Sequence, residues 1–370
     1  MIIKSFKAEN FRNIEKCSID FKPGVNFLIG NNAQGKTNAV EGIYVFARGK
    51  SFRAKEDKEL IKFGSEGFRI YIEYEDKNGE NSLEYIFYGR ERRRKRNGYK
   101  IKSVKEMIGS FKAVLFYPDD LGLVKDGPEE RRAFLNVALS QCYNVYIDFY
   151  SKYKTALENR NYLLKLASKG QYIDDGELES WSLSMAEYAS YIYLHRKNYI
   201  KKLEEYSKKI MNEISDGKEE LSILYESDIE YDGDDRKVIE EEYREVFKRG
   251  IEKEKIVGSS LYGVHRDDME IMINGKSARS FSSQGQQRSI VLSLKLAEGE
   301  VNREICGEYP VFLFDDVLSE LDEKRRDYIM SGIGERQVII TSCEADPDKI
   351  FSKSVIKVKD GDYLDVSSHR

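Results

Sequence analysis

Eight consecutive residues constrain this chain more than any others: Gly30-Asn31-Asn32-Ala33-Gln34-Gly35-Lys36-Thr37, which satisfies G-x-x-x-x-G-K-[ST]. They follow Val25-Asn26-Phe27-Leu28-Ile29, a short apolar run of buried-strand type, and precede a helical run that starts near Thr37. Strand, glycine-rich loop and helix in that order predict an α/β core built around phosphate. The glycines let the backbone curl so that its N–H groups face an anion at a helix N-terminus. Lys36 is then expected to reach the β- and γ-phosphates of ATP, and the Thr37 hydroxyl to be a Mg2+ ligand. The plainer alternative is a surface turn that matches by chance, and the flanking strand and helix count against it.

A P-loop alone leaves kinases, GTPases, helicases and ABC-type ATPases open, and the far end of the chain narrows the choice. Val311-Phe312-Leu313-Phe314-Asp315-Asp316 is an apolar strand ending in two carboxylates, the Walker B arrangement. Asp315 is expected to hold magnesium and Asp316 to orient the attacking water. Upstream, Ser282-Ser283-Gln284-Gly285-Gln286-Gln287-Arg288 opens a helix whose apolar positions Ile290, Val291, Leu294, Ala297 and Val301 share one face. A hydroxyl, a glycine and free helix N–H groups make an anion site, although Ser283 alone is more often an ordinary N-cap. Ser319-Glu320-Leu321-Asp322 follows the carboxylates, and Gln337-Val338-Ile339-Ile340-Thr341 is a further strand.

Between these ends the pattern changes twice. Phe68 to Tyr74 and Leu83 to Phe87 read as strands broken by Asn78-Gly79 and Asn97-Gly98, the signature of hairpins, so an antiparallel β lobe is expected after the P-loop helix. From about Glu129 to Lys255 there is no proline, and apolar residues recur at three- and four-residue spacing, which predicts long helices. That spacing keeps no strict heptad, so a helical insertion is favoured over a coiled coil. The boundaries drawn are 1–117 for the first part of an ATPase head, 118–258 for the insertion and 259–370 for the rest of the head. No run approaches the ~18 apolar residues of a spanning helix, and the N-terminus lacks a leader pattern, so a cytoplasmic protein without a membrane partner is expected. Cys17, Cys142, Cys306 and Cys343 stand far apart, without the spacing of a disulfide framework or zinc site. His195 and His265 likewise lack metal spacing, and His265 is expected in a hydrogen-bond network with Arg266 and Asp267.

The P-loop, the S-x-G-Q signature, the hhhh-D-D strand and S-E-L-D, in that order, resemble the ABC ATPase head shared with the SMC proteins. Within that group the chain resembles the RecF family of recombination and gap-repair proteins. The finer match rests on Glu9-Asn10-Phe11-Arg12-Asn13, Tyr117-Pro118-Asp119-Asp120-Leu121, Arg131-Arg132-Ala133-Phe134-Leu135 and Gly263-Val264-His265-Arg266-Asp267-Asp268. The resemblance implies an α/β, ABC-type P-loop head with a short helical arm, a slow ATPase, and an ATP-induced homodimer on double-stranded or gapped DNA. It also implies RecR and RecO as partners. For the site it implies Lys36, Asp316 and Ser283 in catalysis, Gly30 to Thr37 with Arg12, Asn13, Ser283, Gly285 and Gln286 around ATP, and Thr37 with Asp315 on Mg2+.

Four positions depart from the ABC pattern. Gln284 replaces the first signature glycine, Asp316 stands where glutamate is usual, Asp119 replaces the Q-loop glutamine, and Thr341-Ser342-Cys343 carries no switch histidine. The shorter Asp316 suits slow hydrolysis. The overall charge of -4 gives no support for DNA binding, so that expectation rests on the local run Arg90-Glu91-Arg92-Arg93-Arg94-Lys95-Arg96. There Arg92, Arg93, Arg94 and Arg96 are the candidate phosphate contacts, with a merely solvated hairpin as the alternative. Two rival functions remain: the ATP-binding subunit of an ABC transporter, which would have no DNA affinity, and a structural chromosome protein that binds ATP without turnover.

Overall fold

The computed structural model describes residues 1–318, 321–332, 334–343 and 354–366. Contacts divide the chain into two units, one formed by 1–121, 210–218 and 284–370, the other by 122–209 and 219–283.

In the first unit β1 (Ile2–Phe11), β2 (Ile14–Asp20), β3 (Val25–Ile29) and α1 (Lys36–Arg48) are followed by β4 (Gly67–Asp76), β5 (Gly79–Tyr88), β6 (Glu91–Arg96), β7 (Tyr99–Ile101) and β8 (Ala113–Phe116). An antiparallel sheet runs β2-β1-β4-β5-β6-β7. Its strands alternate as a half-buried sheet must, with Phe6, Ala8, Ile70, Ile72, Leu83 and Tyr85 all inside. Asn97 and Gly98 both have positive φ, as the tight turn between β6 and β7 requires. Asp76 and Gly79 close the β4–β5 hairpin at the other Asn-Gly pair.

The second unit contains α2 (Gly122–Lys125), α3 (Pro128–Cys142), α4 (Tyr146–Ala167), most of α5 (Asp175–Ser215), β9 (Leu221–Glu226), α6 (Arg236–Val257), β10 (Asp268–Ile273), β11 (Lys276–Ser277) and α7 (Ala278–Phe281). Strand β9 corrects the expectation that this stretch consists of long helices and loops alone. Leu221-Ser222-Ile223 alternates inward and outward, and all six residues pair antiparallel with β10. The same ladder moves the boundary drawn at 259: β10, β11 and α7 cluster with the helices, and the head resumes at Gln284.

The interior of this unit is unusually polar. Arg160 and Glu254, both fully buried, meet at 2.7 Å, with Ser182 and Ser260 bonding the rest of the guanidinium. Asp267 accepts from Arg196 at 3.0 Å and from Tyr225, while Arg131 makes a two-pronged contact of 2.7 Å with Asp268. The Gly263 to Asp268 motif is therefore largely a core device. His265 departs from the expected network, because its ring turns from Arg266 and Asp267 to the Tyr153 hydroxyl, 2.7 Å from Nδ1, and the Ser260 carbonyl, 3.3 Å from Nε2.

A neutral ring fits those partners, with Nε2 donating and Nδ1 accepting. Burial pushes the His265 pKa down from 6.5 to about 4. Below about pH 6.5 the unfolded chain gains a proton that the folded chain refuses until about pH 4. Stability from this site is thus complete above that window and is lost as pH falls through it, by about 3 kcal/mol. Thermal melts across the window should show a decline that His265→Asn flattens. An identical profile in the variant would remove His265 as the titrating group.

The chain returns to the first unit with α8 (Gln284–Cys306), β12 (Val311–Phe314), α9 (Glu323–Ser331), β13 (Val338–Ser342), β14 (Ser354–Lys359) and β15 (Asp362–Asp365). These complete a sheet of order β15-β14-β3-β13-β12-β8, parallel except for β15. Three of its strands are covered on both faces: β3 and β12 inside the sheet and β8 at its edge are buried at every position. The five expected apolar positions of α8 are all buried as well. Ser319 and Glu320 lie outside the described residues. No helix among those described is long and apolar enough to cross a membrane.

Candidate functional site

Parallel strands gather ligands at their C-terminal ends, and here β3, β13 and β12 deliver the chemistry side by side. The P-loop leaves β3, Thr341 lies near the end of β13, and Asp315 and Asp316 follow β12. Thr37 Oγ1 donates to Asp315 Oδ1 at 2.9 Å, and Thr341 Oγ1 donates to the same oxygen at 2.9 Å. The Asp316 N–H donates to Thr341 Oγ1 at 2.9 Å. Asp316 itself has φ 59°, a left-handed turn that carries its carboxylate out of the strand direction.

Lys36 is nearly buried, and its Nζ donates to the Gly30 carbonyl at 2.7 Å and to the Asn31 carbonyl at 2.9 Å. Cys343 Sγ lies 3.5 Å from that ammonium, 2.7 Å from Asn32 Oδ1 and 3.8 Å from Asp316 Oδ1. Burial raises the Asp315 pKa, the Thr37 and Thr341 hydroxyls lower it, and the Asp316 charge adds to the rise. A cation beside Asp315 would relieve that penalty.

The donor set suits Mg2+. A hydroxyl and a carboxylate oxygen are hard ligands, and adjacent corners of an octahedron with ~2.1 Å bonds lie about 3 Å apart, close to the separation of Thr37 Oγ1 and Asp315 Oδ1. Among the described residues no three His, Cys, Asp or Glu side chains gather as a metal cage. Magnesium usually takes one or two carboxylates and fills its shell with substrate phosphate and water.

Other sequence-derived candidates are placed around this centre. Arg12 is turned onto buried Glu41 of α1 through two bonds of 2.9 and 2.7 Å, which Ser51 and Arg53 join. Asn13 bonds the Ala33 carbonyl at 3.2 Å and Asn38 at 2.7 Å. In the signature, the Gly285 carbonyl accepts from Ser289 and from Arg325 of α9, and Asp322 caps that same helix. Among the described residues no hydrogen bond of Gly285 reaches the P-loop.

Two members of the site carried no motif. Thr341 and Cys343 enter because β13 lies between β3 and β12, and the strand run ending at Thr341 was the available signal. Since Cys343 is exposed and adjoins Lys36, bound ATP should slow its alkylation several-fold while leaving Cys142 and Cys306 unaffected. Mass-spectrometric footprinting with and without ATP measures this.

Comparison with known proteins agrees with the geometry. The family model described as RecF/RecN/SMC N terminal domain matches residues 2–360. The DNA replication and repair protein RecF of Clostridioides difficile (strain 630) is 36% identical over 375 residues, covering 100% of this chain and 99% of that protein. The chain belongs to the RecF family. The RecF of Alkaliphilus oremlandii (strain OhILAs) is 38% identical over 92% of this chain and 93% of its own length. A structure of the recombination mediator protein RecF-ATP in the RecFOR pathway superposes with a TM-score of 0.91 at 34% identity, covering 99% of this chain and 97% of that one. An Smc head bound to the C-terminal winged-helix domain of ScpA reaches a TM-score of 0.57 at 16% identity, which marks a shared fold. The fold is therefore the SMC-like ABC ATPase head, α/β with an antiparallel sheet and helices, and RecF-type heads extend over the whole chain.

Proposed function

We infer that this chain is an ATP-dependent DNA-binding protein of recombinational gap repair, an ABC-type ATPase that hydrolyses slowly and holds duplex DNA as an ATP-induced homodimer. The observation that carries the reading is the meeting of Thr37, Asp315 and Thr341 at 2.9 Å beside Lys36, in a chain matched end to end by RecF proteins. Lys36 would carry the β- and γ-phosphates, Thr37 and Asp315 would hold Mg2+, and Asp316 would orient water, with Ser283, Gly285 and Gln286 serving a partner's nucleotide. RecO and RecR as partners, gapped DNA and a cytoplasmic setting belong to the same reading, supported by the family resemblance. The transporter alternative is not favoured, since the full-length relatives are replication and repair proteins.

A gel-shift on duplex DNA with and without ATP, paired with a phosphate-release assay, tests the reading. ATP-stimulated binding with slow turnover is expected. Absence of DNA affinity would favour the transporter alternative, and ATP binding without turnover the structural one.

The basic run sharpens the DNA part. It forms strand β6, with its turn at Asn97-Gly98, and most of its charges are engaged. Arg92 pairs with Asp57 at 2.6 Å, Arg93 with Glu91 at 2.5 Å and Lys95 with Glu84 at 2.7 Å. Arg94 stacks over Tyr85, 4.5 Å from its centroid. Arg96 is exposed and has no carboxylate at ion-pair distance among the described residues. Neutralising Arg92, Arg93, Arg94 and Arg96 together should therefore cost about two phosphate contacts, a reduction of about 2 in the slope of log affinity against log salt. If affinity and slope both survive, the strand is only a solvated edge.

A further inference from the structure

Three consecutive peptide units of the P-loop are gripped from behind by groups outside it. Asn13 Nδ2 donates to the Ala33 carbonyl at 3.2 Å, the Gly361 N–H to the Gln34 carbonyl at 2.9 Å, and the Tyr363 hydroxyl to the Gly35 carbonyl at 2.8 Å. The Gln34 side chain also accepts from the Asp360 N–H. Asn13 comes from the turn between β1 and β2, and the other groups come from the β14–β15 hairpin. That hairpin turns through Asp360 and Gly361, both at positive φ, and lies against the loop so closely that a Cβ on Gly30 would fall 2.2 Å from the Val358 carbonyl oxygen.

In a trans peptide the carbonyl and the following N–H point in opposite directions. Holding the carbonyls of Ala33, Gln34 and Gly35 on one side thus aims the N–H groups of Gln34, Gly35 and Lys36 to the other, where the loop opens toward an anion. Such aim is not free, because Ala33 adopts positive φ, a region that costs a non-glycine residue energy. Tyr363 is partly buried, and a phenol keeps its proton at neutral pH, so it serves as a donor. The Gly35 carbonyl also receives the first helical bond, from Ala39 at 3.1 Å, which ties this peptide to the axis of α1.

We propose that Asn13 and Tyr363 are positioning residues for the phosphate cradle, acting on the loop's carbonyls and not on the nucleotide. The proposal rests on the reading of this loop as the ATP site. It revises the role of Asn13 from a nucleotide contact to a support, and it gives the C-terminal hairpin a task in ATP binding.

Calorimetric titration of ATP, ADP and inorganic tripolyphosphate into wild type, Tyr363→Phe and Asn13→Ala tests it. Each variant should bind all three ligands about three- to tenfold more weakly, the cost of one hydrogen bond. The inorganic ligand should lose as much as ATP, because the cradle reads phosphate and not base. KM for ATP should rise by the same factor, with a smaller change in kcat. Unchanged affinities in both variants would overturn the proposal, as would lower melting temperatures with unaltered KM, the mark of a merely structural contact. Wild-type protein that binds none of the ligands would instead defeat the ATP-site reading itself, which keeps the two failures apart.

Discussion

Lys36→Met should reduce ATP affinity by at least about a hundredfold while the protein still melts cooperatively. The ammonium puts a full positive charge inside the loop's curl, bonded to the carbonyls of Gly30 and Asn31. Hydrogen bonds to charged groups are worth about 1.5–3 kcal/mol each. Losing two on a triphosphate costs about 3–6 kcal/mol, or roughly 10²–10⁴ in the dissociation constant. Methionine keeps the length and apolar stem of lysine, and α1 is anchored by Ala39, Val40, Ile43 and Phe46, all fully buried, so the fold should persist. Asp316→Asn should behave differently, retaining ATP and prolonging the bound state, because Asp316 is assigned to water and not to phosphate. Equilibrium binding and single-turnover hydrolysis separate the two, and a folded Lys36 variant with wild-type affinity would end the P-loop assignment.

Those assignments show which parts of the site a linear reading can reach. The P-loop was legible because its chemistry is local: a run of eight residues contains the loop, the lysine and the hydroxyl, and the flanking strand and helix check it. Asp315 and Asp316 were legible because an apolar strand ending in two acids has few uses beside a P-loop. Tyr363 was not, because nothing in its own neighbourhood marks it, and Thr341 and Cys343 were reached only as the end of a strand that lacks the switch histidine. They matter only through the order β14-β3-β13-β12, which brings the ends of distant strands around one loop. Asp360-Gly361 was an available signal of the final hairpin, but no local pattern says that a hairpin will press on a loop more than three hundred positions away. Strand β9 was hidden for the opposite reason. Its six residues sit within a Lys- and Glu-rich stretch of helical character, and only pairing with β10 makes them a strand. His265 shows the same limit, since Tyr153 and Ser260 outcompeted its sequence neighbours.

Replacing Ser283 with arginine should abolish an ATP-induced dimer while leaving ATP binding by the monomer nearly intact. In the proposed reading a triphosphate held on Lys36 and Thr37 of one chain needs the Ser283 hydroxyl of another. A second copy related by a two-fold axis can supply it, and symmetry then forms two such sites at once. Each helix start offers an oriented dipole, worth about 0.3–1 kcal/mol when exposed and up to ~2 when partly buried. Two sites therefore contribute about 0.6–4 kcal/mol, enough to shift a weak monomer–dimer balance by roughly 3- to 1,000-fold without making the dimer permanent. Arginine at position 283 would place a long side chain in that seam. Sedimentation with ATP, with ADP and without nucleotide should show a dimer only with ATP in the wild type and monomer throughout in the variant, whose hydrolysis should fall with the dimer. A dimer in all three conditions, or a variant that still dimerises and turns over ATP, would show that each chain completes its own site.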